Sequence, residues 1–154
     1  MDLKQFLDKH DVPYTVIPHS WAHNAAQIAT AVHTYPQHVA KTVMLHANHS
    51  FRDLVAIVPA DARIDFKKVS GMIGGAEIRL ATEQDVAVRC PDCESGVLPP
   101  FGSQYGMLTL VDESLAGQKD IVIESNSRSE ALQLRWEDFR RLENPLVGGF
   151  AIRE

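Results

Sequence analysis

Two β-rich apolar runs, Val39 to Leu45 and Leu54 to Val58, flank Asn48-His49-Ser50 and limit the fold more than any other feature. Their spacing predicts a hairpin. Around it, helical and strand periods mix without regular βαβ alternation, so the pattern predicts an α+β fold rather than a doubly wound sheet. Upstream, Leu3, Phe6 and Leu7 predict a helix over 2–10, broken by Pro13, then a strand over 14–17 ending at Pro18. Asn24 followed by Gln27 reads as a capping box for a helix over 24–34. Downstream, helices are expected over 65–73 and 82–88, the second capped by Thr82 and Asp85. Strands follow over 107–111, 121–124 and 131–134, and a helix over 136–142 closes the series. The 154 residues fit one domain, 1–154, with no repeat or linker.

Lys41 breaks the pattern of its strand. Alternation places it on one face with Val39, Val43 and Leu45, while Ala40, Thr42 and Met44 take the other, so neither face is clearly wet. An ammonium there must snorkel, pair or point into a polar cavity. Two readings stand: a snorkelling edge lysine, or a fixed charge that receives a phosphate or carboxylate.

The longest irregular stretch runs from Cys90 to Gly106, a length that in a small domain points to function or disorder. Within it lies Gly96-Val97-Leu98-Pro99-Pro100-Phe101-Gly102. Its prolines fix backbone angles and its glycines admit close approach by a ligand. Main-chain donors at Val97 and Leu98 suit a substrate carbonyl or an oxyanion. The other reading is a rigid turn that packs Phe101 into the core.

Cys90 and Cys93 are the only cysteines, too few for a structural zinc site of the usual four ligands. The prolines and glycines after them suit a loop better than the helix of a thioredoxin-like pair, so they read as loop thiols. Metal and thiol chemistry are therefore not expected. His19, after a strand and Pro18, is placed to line a cleft, whereas His33, His38, His46 and His49 fall at helix and hairpin ends and carry no role. The sequence holds no nucleophile elbow, Walker loop, zinc-protease helix or dinucleotide fingerprint.

Twenty acidic against fifteen basic residues leave a net charge of −5, which excludes a general polyanion binder and argues against DNA. A nucleic acid gripped locally stays compatible, with Arg63, Lys67, Lys68 and Arg79 as a local basic face. No apolar run reaches membrane-spanning length, and the N-terminus lacks a secretory pattern, so the expected setting is cytoplasmic and membrane-free.

Taken in order, strand-Pro18-His19, the segment Asn24 to His33, Ala40-Lys41-Thr42-Val43, and Pro91 through Gly102 resemble the YbaK/prolyl-tRNA synthetase-associated (INS-like, ProXp-type) editing domains. The resemblance continues through Val111 to Leu115, Glu124-Ser125-Asn126-Ser127 and Trp136 to Phe139. It implies a compact α+β domain around a curved, barrel-like mixed sheet flanked by helices. It also implies a free-standing, trans-acting aminoacyl-tRNA deacylase that uses no metal or organic cofactor. The partner would be the acceptor end of aminoacyl-tRNA, with a synthetase as a candidate associate.

By the same resemblance, Lys41 holds the phosphate or ribose of the terminal adenosine, and the backbone of Gly96, Val97 and Leu98 positions the ester for a water. His19, Asn24, Pro99, Pro100, Phe101 and Asn126 are then expected on the substrate side. Two departures bear on specificity: Ser125-Asn126-Ser127 replaces a Gly-containing segment, and Gln27 stands near an acid of many relatives. Alanine, serine and threonine are the candidate amino acids, alanine slightly ahead and tRNA(Pro) the candidate carrier. The rival reading is a non-catalytic module that binds tRNA ends or a small aminoacyl or nucleotide ligand.

Overall fold

The computed structural model describes residues 1–19, 28–29, 36–48 and 53–153. Its strands are β1 (Thr15–Pro18), β2 (Val39–Ala47), β3 (Asp53–Pro59), β4 (Ala62–Ile64), β5 (Ile78–Leu80), β6 (Leu108–Asp112), β7 (Asp120–Glu124), β8 (Glu130–Arg135), β9 (Leu146–Gly148) and β10 (Ala151–Arg153). The helices are α1 (Leu3–Lys9), α2 (Phe66–Met72), α3 (Glu83–Arg89), α4 (Glu113–Ala116) and α5 (Trp136–Glu143).

Eight strands build a mixed sheet in the order β1-β8-β7-β2-β3-β6-β9, with β5 also pairing β2, while β4 and β10 form a separate antiparallel pair. The expected hairpin is present: β2 and β3 pair antiparallel from Ala40↔Pro59 to His46↔Asp53. The helix expected over 24–34 lies outside the described residues except Ile28 and Ala29, which are helical and buried. No helix among the described residues is long and apolar enough to cross a membrane.

Both faces of the central strands are covered, which explains why Leu54 to Val58 is continuously apolar rather than alternating. On one face, Leu3 and Leu7 of α1 and Trp136 and Phe139 of α5 pack with Ile57, Phe101, Val111 and Ile123. Against the other, Val69 of α2 and Phe150 pack with Leu45, Leu54, Ala56 and Val58. Phe101 and Phe139 have ring centroids 4.9 Å apart, and truncating either to Ala removes about 3–5 kcal/mol of stability.

Helix ends follow the local chemistry. Thr82 and Asp85 form the capping box for α3 that the sequence pattern predicts, and Asp2 and Gln5 form a further one for α1. Strands β4, β5, β9 and β10 and helix α4 are additional to the sequence reading. At three or four residues they are too short to display a period.

Candidate active site

The site grows from a gap in the sheet. Along one edge β2 pairs in parallel with β7 only at Val39 and Ala40, and antiparallel with β5 only from Leu45 to Ala47. The β2 edge between these two stretches, Lys41 to Met44, forms the floor of a cavity of about 240 Å³. Leu80, Ala81, Thr82, Glu83 and Val86 make one wall, Gly96 to Leu98 make another, and Glu124 closes the end. The space lies just below the roughly 300–1,000 Å³ of drug-sized sites, a fit for a small acyl group.

Lys41 is half-buried, and its Nζ donates to the Ala62 carbonyl at 2.6 Å. Burial lowers its pKa, opposed by the charges of Glu124 and Asp61. The side chain therefore pairs rather than snorkelling freely: one ammonium donor is tied to a main-chain carbonyl, which leaves two.

Glu124 was not among the residues the sequence singled out. It ends β7, where β2 runs on without a ladder partner, and its Oε2 accepts the Thr42 N–H at 2.9 Å. The side chain is buried, and burial pushes its carboxyl up to about 8 against the opposing effects of the Thr42 bond and the Lys41 charge. The Thr42 hydroxyl nearby is buried without a hydrogen bond of standard geometry. The available signal was the apolar run Ile121-Val122-Ile123 ending in a carboxylate, the same anomaly that Lys41 presents.

The Gly96–Phe101 loop divides by role. Gly96, Val97 and Leu98 line the cavity. Pro99 and Pro100 are buried, and Phe101 inserts between Phe6 and Phe139 in the core, as the rigid-turn reading of this segment expects. Val97 N–H bonds the Glu94 carbonyl at 3.3 Å, closing the turn, whereas the N–H groups of Gly96 and Leu98 carry no hydrogen bond among the described residues. Of the two donors that the sequence reading names, Val97 N–H is therefore taken within the turn, and Leu98 N–H is not. Gly96 has φ +89°, and a Cβ there would fall on the Arg128 guanidinium, whose Nε donates to the Ser95 carbonyl.

Other expected site residues lie elsewhere. Asn126 lines a neighbouring hollow with Asp2, Asp92 and Glu130; its Oδ1 accepts the Leu3 N–H at 2.9 Å. His19 follows β1, its N–H bonded to the Ser129 carbonyl, and is not among the cavity-lining residues. Asn24 lies outside the described residues. Cys90 and Cys93 are joined as a disulfide rather than standing as loop thiols, with the Asn126 amide against both sulfurs. His46 also gains a role: its ring bridges Asp53 at 2.6 Å and Asp85 at 3.0 Å.

A mixed-sheet α+β domain with a lysine and a buried carboxyl facing a small cavity is the class the fold and site define. The model of the aminoacyl-tRNA editing domain matches residues 19–142, and the chain belongs to that family. Three solved structures share its fold. The hypothetical protein APE2540 superposes with a TM-score of 0.88 at 14% identity, over 97% of this chain and 99% of that one. A candidate trans-editing enzyme for prolyl tRNA synthetase gives 0.80 at 18% identity, over 97% and 94%. A scaffold used for computational epitope grafting gives 0.84 at 16%, over 98% and 95%.

Proposed function

We propose that this chain is a trans-acting aminoacyl-tRNA deacylase of the cytoplasm, hydrolysing the ester between a small, wrong amino acid and the terminal ribose of tRNA. The observation that carries the reading is the cavity itself, in which Lys41 faces the Gly96–Leu98 backbone across a space of acyl-group size. The charge of Lys41 suits the phosphate or ribose of the terminal adenosine. The free N–H groups of Gly96 and Leu98 suit the ester carbonyl and the negative charge that develops there when water attacks. An activated ester has a modest barrier, so positioning and charge stabilisation suffice without a strong base. Met44, Leu80, Val86 and Val97 form apolar walls that limit side-chain size, in keeping with alanine ahead of serine and threonine.

The test is deacylation of tRNA(Pro) charged separately with alanine, serine, threonine and proline, with Lys41→Ala alongside. Lysine-dependent loss of one non-cognate ester is the expected result. Binding of charged tRNA with no turnover of any ester would overturn the proposal in favour of a binding module.

A further inference from the structure

Among the described residues two carboxyl groups are buried, and their surroundings differ. Asp112 accepts hydrogen bonds from Ser114 N–H and Oγ, and from the N–H groups of Phe150 and Ala151. Burial pushes its carboxyl up, but these four donors outweigh it and hold it below the usual range. It is a structural joint, fully used. Glu124 is equally buried yet takes one hydrogen bond of standard geometry, from the Thr42 N–H to Oε2. Its other polar neighbour is the Thr42 hydroxyl, which makes no hydrogen bond of standard geometry, and among the described residues no ion pair reaches it, because the Lys41 ammonium is turned to the Ala62 carbonyl. A buried carboxyl left with spare acceptor capacity at a cavity wall is costly to keep. The cost is recovered when a ligand brings a cation to it.

Resting on the deacylase reading, we infer that Glu124 is the anchor for the α-ammonium of the aminoacyl group, and so makes the site selective for esters that carry a free amine. Every polar group of the substrate then has a counterpart of matching chemistry. The anionic nucleotide end meets Lys41, the ester carbonyl meets the Gly96 and Leu98 N–H groups, and the ammonium meets Glu124, the buried carboxyl of a lining whose other acid, Glu83, is exposed. Binding of the ammonium draws the Glu124 proton off to solvent, leaving a carboxylate–ammonium pair inside an apolar wall. In such a setting a charge-assisted hydrogen bond is strong. The Thr42 N–H bond fixes the carboxyl in place, so little ordering is lost when the substrate arrives. A general-base role would place the same carboxyl on the attacking water instead, and the two roles separate experimentally.

The experiment compares alanyl-tRNA with lactyl-tRNA, made from it by nitrous acid deamination, which exchanges the amine for a hydroxyl and leaves the ester intact. The wild-type chain is expected to favour the alanyl ester in kcat/KM by about tenfold or more beyond the ratio of the two uncatalysed hydrolysis rates, the rate equivalent of one charge-assisted hydrogen bond. Glu124→Gln keeps an oxygen for Thr42 but carries no charge. It is expected to lose that preference, with alanyl turnover falling about tenfold more than lactyl turnover. Equal loss on both esters overturns the anchor in favour of a base. An unchanged preference in Glu124→Gln overturns it as well. A wild-type preference no larger than the uncatalysed ratio does so without relying on any variant. Hydrolysis of neither by the wild-type chain overturns the deacylase reading and the anchor together.

Discussion

Nε2 of His46, on β2, lies 3.0 Å from Oδ2 of Asp85 on α3, and this contact ties the helix behind one cavity wall to the strand that forms its floor. The same ring reaches Asp53 through Nδ1, and Asp53 in turn takes Arg89 at 2.7 Å, so both ends of α3 are held to the β2–β3 hairpin. An imidazole with an acid on each nitrogen donates to both when it is the cation. Its hydrogen bonds to Asp85 and Asp53 raise the His46 pKa against the opposing effects of burial and Arg79.

The sign of the pH effect follows. A raised folded-state pKa stabilises fully below the ordinary imidazole value of about 6.5, and the effect is lost as pH climbs through the raised value. His46→Ala should thus lower the melting temperature by about 2–4 °C more at pH 6 than at pH 9. The lowered pKa values of Asp53 and Asp85 act at the other end, losing their contribution only in acid as pH falls through those values. Melting curves at the two pH values decide it, and a deficit of equal size at both would mean that the imidazolium is not the tie.

Lys41→Met keeps the length of the side chain and removes the charge. Deacylation should fall by at least about a hundredfold, the scale of losing a preorganised charge contact. Circular dichroism and the melting temperature should change little, because the lost contact is one bond to Ala62 and the methionine packs with Val43 on the same strand face. Turnover retained in Lys41→Met would remove the lysine from the reaction.

Lys41 was legible in the sequence because a lysine inside Val39–Leu45 is expensive wherever its strand lies. Glu124 obeys the same logic, but a carboxylate at a strand end normally meets water. Its burial arises from β2 overrunning β7, a register set by residues more than eighty positions away. The helices at both ends of the chain and the central hairpin were readable for the reason Lys41 was: long apolar periods leave a local trace. Asn126 shows where that trace stops. Its carbonyl serves Leu3, 123 positions distant, and no local pattern reports such a partner.

Gly96→Ala tests the loop at one atom. With φ at +89° the alanine is strained, and its Cβ displaces the Arg128 guanidinium, so the expected loss is about 1–3 kcal/mol by urea unfolding, together with a fall in turnover. Adding Arg128→Ala relieves the collision but not the backbone strain. The double variant should regain part of the stability, and no recovery at all would show that Arg128 is not what the Cβ meets.

The Cys90–Cys93 disulfide spans three positions at the end of α3, where Cys90 is the C-cap. A ring that small restricts the unfolded chain by about 2 kcal/mol at most. The double Cys→Ser variant is expected to melt a few degrees lower and to keep its turnover within about threefold, since neither sulfur lines the cavity. Loss of turnover in a variant that still folds would give the sulfurs a part in the reaction.

Binding to tRNA should depend on salt, but weakly. The chain carries a net charge of −5, so phosphate contacts are confined to a local face. Lys41 meets β4 at Ala62, next to Arg63, and α2 with Lys67 and Lys68 follows at once in the chain. These basic side chains follow in sequence the segment that Lys41 touches, which makes α2 the candidate face for the acceptor end. Each phosphate neutralised on a single strand contributes about −0.7 to the slope of log K against log salt. Replacing both Lys67 and Lys68 with Glu should therefore flatten the slope by about 1.4, weakening binding at low salt far more than at high salt. Filter binding across a salt series measures it. A slope the double variant leaves unchanged would move the acceptor end away from α2, whereas a flat slope in the wild-type chain would mean that shape and the aminoacyl contacts, not phosphate charge, hold the tRNA.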